Sequence, residues 1–371
     1  MIALYLDEIK PAYFYFAREF IENRIYYFDN LDVPYKIFTN LEEYIDSDIE
    51  KKVAVLHNNC THGPVRDLFF KIFPRIKESS NLIFIVESEN PCENIKDFID
   101  LENVVFVSPG LFHDSQVNKK IIFKPTWFEV PVTLYNQLPD VLDTLNPYSP
   151  KEKFFDALLG VGKPHRDLVY ESFHKFNLAH KNIINYHQKG GIGHKENSDF
   201  IIEPGTTRSY TRYTTDLKRE YSVVHVEYRS IRTHLACVIH TGIYNQTAYS
   251  VVAETNTSDT FHLFTEKITK PILGRRLFVV FAGQGYLQSL KNLGFKTFSD
   301  VIDESYDDIL DPTQRWKLAF DQVRNLCNRD QHEVLAKIKP IVEHNYNLLV
   351  NRDWTGEAVD QIISKVKSLT N

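Results

Sequence analysis

Several short stretches of this sequence hold the residue types that phosphate binding and acid–base chemistry require. Thr265-Glu266-Lys267 joins a helix-capping residue, a carboxylate and an ammonium group. In the first turn of a helix, unpaired N–H groups and the positive end of the helix dipole favour a diphosphate. Lys267 would add a point charge there, and Glu266 can accept both hydrogen bonds of a ribose diol. The same triplet also reads as a capping box with a surface salt bridge. Glu254-Thr255 precedes it in a polar loop, and Gly283-Gln284-Gly285 follows, where glycine lets the main chain approach a ligand closely. Lys163-Pro164-His165-Arg166 sets two cations at a helix start, where the dipole disfavours them; a ligand or plain solvent exposure would account for that. Glu87-Ser88-Glu89-Asn90-Pro91 offers two carboxylates in a proline-ended turn, either a general base or a solvated turn.

These residues need a frame to hold them. Apolar runs at Ile2–Leu6, Lys52–His57, Asn81–Val86 and Val104–Val107 alternate with helix-length segments, including Pro64–Ile76 and an amphipathic stretch over residues 11–25. Strands buried on both faces read as short continuous apolar runs, so the pattern predicts a mainly parallel α/β sheet. In such sheets ligands gather beyond the carboxyl ends of the strands, where most of the polar stretches fall. A proline-rich passage over residues 137–153 predicts a domain boundary. A second αβ series follows: a strand at Phe154–Gly160, a helix at Asp167–Phe176, strands at Ala248–Ala253 and Arg276–Phe281, and a helix at Tyr286–Leu293. Thr-rich, basic Gly205–Arg219 reads as a long loop, and the chain from Gln331 onward reads as helical with a break near Asp353–Gly356. The expected division is an N-terminal domain over 1–145, a second domain over 146–335, and C-terminal helices over 336–371 that pack back across both.

The order of the motifs resembles the donor-binding domain of α1,3-fucosyltransferases, in which a strand ending F-E-N precedes Y-V-T-E-K and a glycine-rich turn follows the next strand. Glu254 matches the first glutamate, Thr265-Glu266-Lys267 the T-E-K, and Gly283 the later turn. The resemblance implies that Glu266 holds the nucleotide ribose and Lys267 the diphosphate of a sugar nucleotide. It also implies that Arg166, assisted by Lys163, neutralises the diphosphate, and that Glu89, with Glu87 two residues before it, stands in place of the catalytic base of the family's E-S-P motif. Two Rossmann-like domains of the GT-B glycosyltransferase architecture, an inverting transfer to a glycan hydroxyl and no metal or other cofactor are what this family resemblance implies. The run from Leu293 to Asp308 is similar to glycosyltransferase-like proteins of bacteriophages, which would set the enzyme in the host cytoplasm. The chain departs from the family where Thr255 replaces the asparagine that contacts the donor sugar and Leu263 replaces a tyrosine. Nucleotide handling is therefore expected to be kept and the sugar pocket remodelled.

Composition limits the alternatives. The chain has 371 residues, 43% hydrophobic and 25% charged, enough for one or two sizeable cores. A formal net charge of −6 gives no bulk attraction to nucleic acid or anionic membrane. Cys60, Cys92, Cys237 and Cys327 lie far apart, which favours reduced thiols in a cytosol. The first residues read as a strand, not a signal peptide, and no run approaches the roughly eighteen apolar residues of a membrane span. Asp46-Ser47-Asp48 has the D-x-D spelling of metal-dependent transferases but lies in an acidic stretch that reads as exposed helix and turn. Two rival readings stay open. One is a transferase acting on hydroxymethylated bases of phage DNA, with Arg208, Arg212, Lys218 and Arg219 on its phosphates. The other is a non-catalytic sugar- or nucleotide-binding module.

Overall fold

The computed structural model describes residues 1–6, 33–58, 63–87, 98, 101–113, 115–187, 203–214 and 220–369. The chain divides into two compact units, one formed by residues 1–125 and 353–371 and the other by 126–352. The division thus falls at residue 125, not in the proline-rich passage, and the expected C-terminal segment is split between the units. The prolines of that passage belong instead to turns and to the first turn of a helix that starts at Pro139.

In the first unit the strands are β1 (Ile2–Leu6), β2 (Tyr35–Phe38), β3 (Lys52–Asn58), β4 (Leu82–Glu87), β5 (Val104–Ser108), β6 (Gly110–Phe112) and β7 (Ile121–Phe123). Helices α1 (Leu41–Ile45), α2 (Gly63–Ser79) and α3 (Ser115–Asn118) lie between them. Six strands form one parallel sheet in the order β2-β1-β3-β4-β5-β7, so the order reverses between β1 and β3. Leu4, Val53, Val55, Phe84, Val105 and Val107 build its core. The C-terminal helix Trp354–Lys367 lays Ala358, Val359, Ile362 and Val366 on that core, one stripe of an amphipathic helix. Asp353 caps it by accepting from Gly356 N at 2.8 Å. A Cβ on Gly356 would sit 2.1 Å from Asp353 Oδ2, so a side chain there would displace the capping carboxylate.

The second unit opens with helices α4 (Thr126–Asn136) and α5 (Pro139–Asp143). It continues through β8 (Lys153–Val161), α6 (Pro164–Lys175), β9 (Ile183–His187), β10 (Thr206–Thr214), β11 (Glu220–Tyr228), β12 (Ile231–His234), α7 (Thr241–Gln246) and β13 (Thr247–Ala253). Then come β14 (Phe261–Leu263), α8 (Glu266–Leu273), β15 (Phe278–Phe281), α9 (Tyr286–Asn292), α10 (Pro312–Leu326) and α11 (Gln331–Asn351). Its central sheet is parallel in the order β15-β13-β8-β9. The chain leaves β8 toward β9 on one side and returns to β13 and β15 on the other, which makes the gap between the ends of β8 and β13 a topological switch point.

Beneath the sheet, Arg276 is wholly enclosed. It donates to Asp156 Oδ1 at 2.8 Å, to Ser250 Oγ at 2.9 Å and to the carbonyls of Tyr244, Thr247 and Tyr249, tying β8, β13 and α7 to the segment before β15. The segment expected as a loop at Gly205–Arg219 differs: Thr206–Thr214 is a strand, paired residue for residue with β11 in a three-stranded antiparallel sheet. Its four threonines and two tyrosines favour a pleated surface, and that propensity outweighs the polarity. Arg208 and Arg212 lie on this strand; Lys218 and Arg219 fall outside the described residues.

Candidate functional site

Strand β13 is buried along its whole length and delivers Glu254, itself 0% exposed, to the carboxyl edge of the second sheet. A carboxylate carried into an apolar interior must find donors. Glu254 finds four. Its Oε1 accepts from Thr265 N at 3.2 Å and from the Tyr286 hydroxyl at 2.8 Å, and its Oε2 from the Thr265 hydroxyl at 2.6 Å and Thr255 N at 3.0 Å. Burial pushes its carboxyl up, against the pull of Lys267 and these donors. Glu254 therefore holds three pieces of the site in register: the strand end at Thr255, the start of α8 at Thr265, and the first residue of α9.

Thr265 is the N-cap of α8, its Oγ1 accepting from Lys267 N at 3.3 Å while it donates to Glu254. From the first turn, Lys267 Nζ donates to Thr255 Oγ1 at 3.1 Å and to Glu266 Oε1 at 2.6 Å. Lys163 is the N-cap residue of α6, just beyond β8, and its Nζ donates to the Thr255 carbonyl at 2.6 Å. Two ammonium groups from separate strand–helix connections thus meet on Thr255, at the switch point. Burial works against ionisation of Glu266, yet the charges of Lys267 and Lys270 outweigh it and hold its carboxyl below the ordinary range. Lys163, Arg166 and Lys267 are set against the carboxylates of Glu254 and Glu266, three cations to two anions, which leaves the edge attractive to an added anion.

Of the residues singled out from the sequence, the structure brings together Lys163, Arg166, Glu254, Thr255, Thr265, Glu266 and Lys267. Their exposures divide them. Arg166 is only 5% exposed and donates through Nη2 to the carbonyls of Ala253 and Glu254, each at 3.2 Å; it clamps the end of β13 from inside. Lys163, half-buried, is the cation of that pair at the surface. At Gly283 there is no room for a side chain, because a Cβ there would lie 1.9 Å from Ser258 O. Its missing side chain seats the 258–259 loop on the turn after β15. Glu89 lies outside the described residues, and of Glu87 the structure gives only its main chain, paired with Asn58 at the end of β4.

Other contributors were not singled out from the sequence. His165 is 1% exposed, and its Nε2–H donates to Glu254 O at 2.9 Å; burial and the neighbouring Arg166 push it down to about 3, so it is neutral. Tyr286, next to Gly285, was visible only as part of a helix. Asp259 accepts through Oδ1 from Gln284 N at 2.7 Å and from Arg315 Nη2 at 2.8 Å, joining the loop after β13 to α10. No local signal marks Arg315, which sits in an ordinary amphipathic helix. Among the described residues no group of three or more His, Cys, Asp or Glu is placed to hold a metal ion. Among them, too, no helix is long and apolar enough to cross a membrane.

Comparison of the chain with protein-family models gave no match, and no curated protein sequence matches it.

Proposed function

We propose that the protein is a metal-independent glycosyltransferase of the twin-Rossmann (GT-B) type. It binds a nucleotide-diphosphate sugar on its second unit and transfers the sugar, with inversion, to a glycan hydroxyl. The observation that carries this reading is the meeting of Lys163 and Lys267 on Thr255 at the switch point of a parallel sheet, beside the capped N-terminus of α8. Doubly wound sheets take their ligands at such points. Parallel strand order that reverses once in each unit further supports two Rossmann-like domains.

The chemistry follows from charge. As the bond between the anomeric carbon and the diphosphate breaks, negative charge grows on the leaving oxygen. Lys163, Lys267 and the positive end of the α8 dipole are the preorganised groups that offset that charge. Glu254 and Arg166 act from inside as positioning residues. On the acceptor side, the family resemblance assigns the base to Glu89 or Glu87. That carboxylate takes the proton of the attacking hydroxyl while the new C–O bond forms and the nucleoside diphosphate departs. Widely spaced cysteines favour a cytoplasmic setting.

The test is release of nucleoside diphosphate from GDP-, UDP- and dTDP-sugars mixed with glycan acceptors in EDTA. Release from one donor, lost at least about 100-fold in Glu89→Gln and in the Lys163→Ala, Lys267→Ala double variant, supports the reading. Binding of the nucleotide without any turnover would instead identify a non-catalytic module.

A further inference from the structure

We infer that Asp259 reads the ribose hydroxyls of the bound nucleotide, a role the sequence resemblance gives to Glu266. This inference rests on the donor-site reading above. Asp259 lies in the same loop as Thr255 and meets Gln284, just past the end of β15, so it stands one strand further along the carboxyl edge than the lysine pair.

Three features set this carboxylate apart from an ordinary surface aspartate. First, it is fixed from below. Arg315 is 2% exposed and donates through Nε to the Ala282 carbonyl and through Nη1 to those of Ile309 and Leu310, so its position is set before it meets Asp259. Second, the contact is one-sided. Arginine commonly meets a carboxylate through two parallel bonds, whereas here Arg315 and Gln284 N both converge on Oδ1. Among the described residues Oδ2 has no hydrogen-bond partner, although the side chain is 41% exposed. Third, the loop itself is seated. Ser258 O packs against Gly283 at a distance no side chain would allow, and Ser258 N donates to Asn256 Oδ1 at 2.7 Å.

A carboxylate oxygen on an immobilised, partly exposed side chain, with no bond to the described residues, matches a ligand that brings hydroxyl donors. Glu266 fits less well. It is 6% exposed, and one of its oxygens is taken by Lys267 at 2.6 Å.

The experiment compares a ribonucleoside diphosphate, its 2′,3′-dideoxy analogue and inorganic pyrophosphate by calorimetric titration. The proteins are the wild type, Asp259→Asn and Glu266→Gln, each checked for its unfolding temperature. Wild type is expected to prefer the ribonucleotide over the dideoxy analogue by about 10- to 100-fold, the range for a hydrogen bond to a charged group. Asp259→Asn keeps an oxygen for Arg315 and Gln284 N, so it should bind pyrophosphate as before while losing most of that preference. The wild-type comparison needs no variant and stands even if Asp259→Asn unfolds. Equal binding of the two nucleotides by wild type, or a preference lost in Glu266→Gln and kept in Asp259→Asn, overturns the inference and leaves the donor site standing. Absence of binding by any nucleoside diphosphate overturns both.

Discussion

Lys163 and Lys267 reach the same residue from two different strand–helix connections, the first donating to the carbonyl of Thr255 and the second to its hydroxyl. Like charges brought together need something to offset them. Glu266 pairs with Lys267, and Glu254, fully buried beneath, holds the main chain of Thr255 in place. The lysine pair is thus a consequence of where β8 and β13 end, and its surplus charge is set by the acids around it.

Glu254→Gln tests the buried centre of this arrangement. A glutamine amide can accept at one side only, so in either orientation its NH₂ faces a main-chain N–H, of Thr255 or of Thr265. The expected loss is about 1–3 kcal/mol of unfolding free energy, read by urea denaturation. Tyr286→Phe removes one donor and should cost less. A Glu254→Gln protein as stable as wild type would contradict the account of Glu254 as a fully engaged acceptor.

Asp307 gives a pH dependence with a definite sign. Its Oδ2 accepts from Leu287 N and Gln288 N at the start of α9, and burial pushes its carboxyl up to about 6. An unfolded aspartate titrates near 3.9, so the folded state holds this proton the more tightly. The associated stability is complete below about pH 4 and is lost as pH rises through about 6, a change on the order of 3 kcal/mol. Asp307→Asn is neutral throughout and keeps an accepting oxygen. Its unfolding free energy should therefore gain on wild type between pH 4 and 7.5. A constant difference across that range would contradict the assignment.

Gly283→Ala probes the seat of the 258–259 loop. The added methyl group would lie 1.9 Å from a main-chain oxygen, so the loop must move. Overpacking of this kind costs about 1–3 kcal/mol, and Asp259 would be displaced with the loop. Thermal unfolding should fall by several degrees, with nucleotide affinity reduced alongside. An unchanged melting temperature would show that the two loops are not tightly coupled.

Much of the frame was legible because buried parallel strands write themselves as apolar runs. Lys52–Asn58, Leu82–Glu87 and Thr247–Ala253 fall within a residue or so of their expected positions. Thr265 was legible as a cap because Glu266 and the amphipathic helix that ends at Gly274 follow it directly. Three-residue strands such as Ile121–Phe123 were not, being too short to show a period. Helix α4 was hidden by an internal proline, Pro131, and by aromatic residues on several faces. In the site, residue type was readable and depth was not. The resemblance puts Arg166 ahead of Lys163, but the guanidinium turns inward to the end of β13 while Lys163 stays half-buried. Asp259 and Arg315 depend on a contact between distant segments, which no local pattern records.

The central claim is that the lysine pair at the switch point binds a nucleoside diphosphate. The most direct measurement is the unfolding temperature of the protein with GDP, UDP, dTDP, ADP and CMP, each with and without Mg²⁺, in wild type and in the Lys163→Ala, Lys267→Ala double variant. A ligand that binds only the folded state raises that temperature by mass action. The account predicts that one nucleoside diphosphate raises it equally with and without Mg²⁺, and that the double variant loses the shift. No shift at millimolar nucleotide, or the same shift in the double variant, would contradict it.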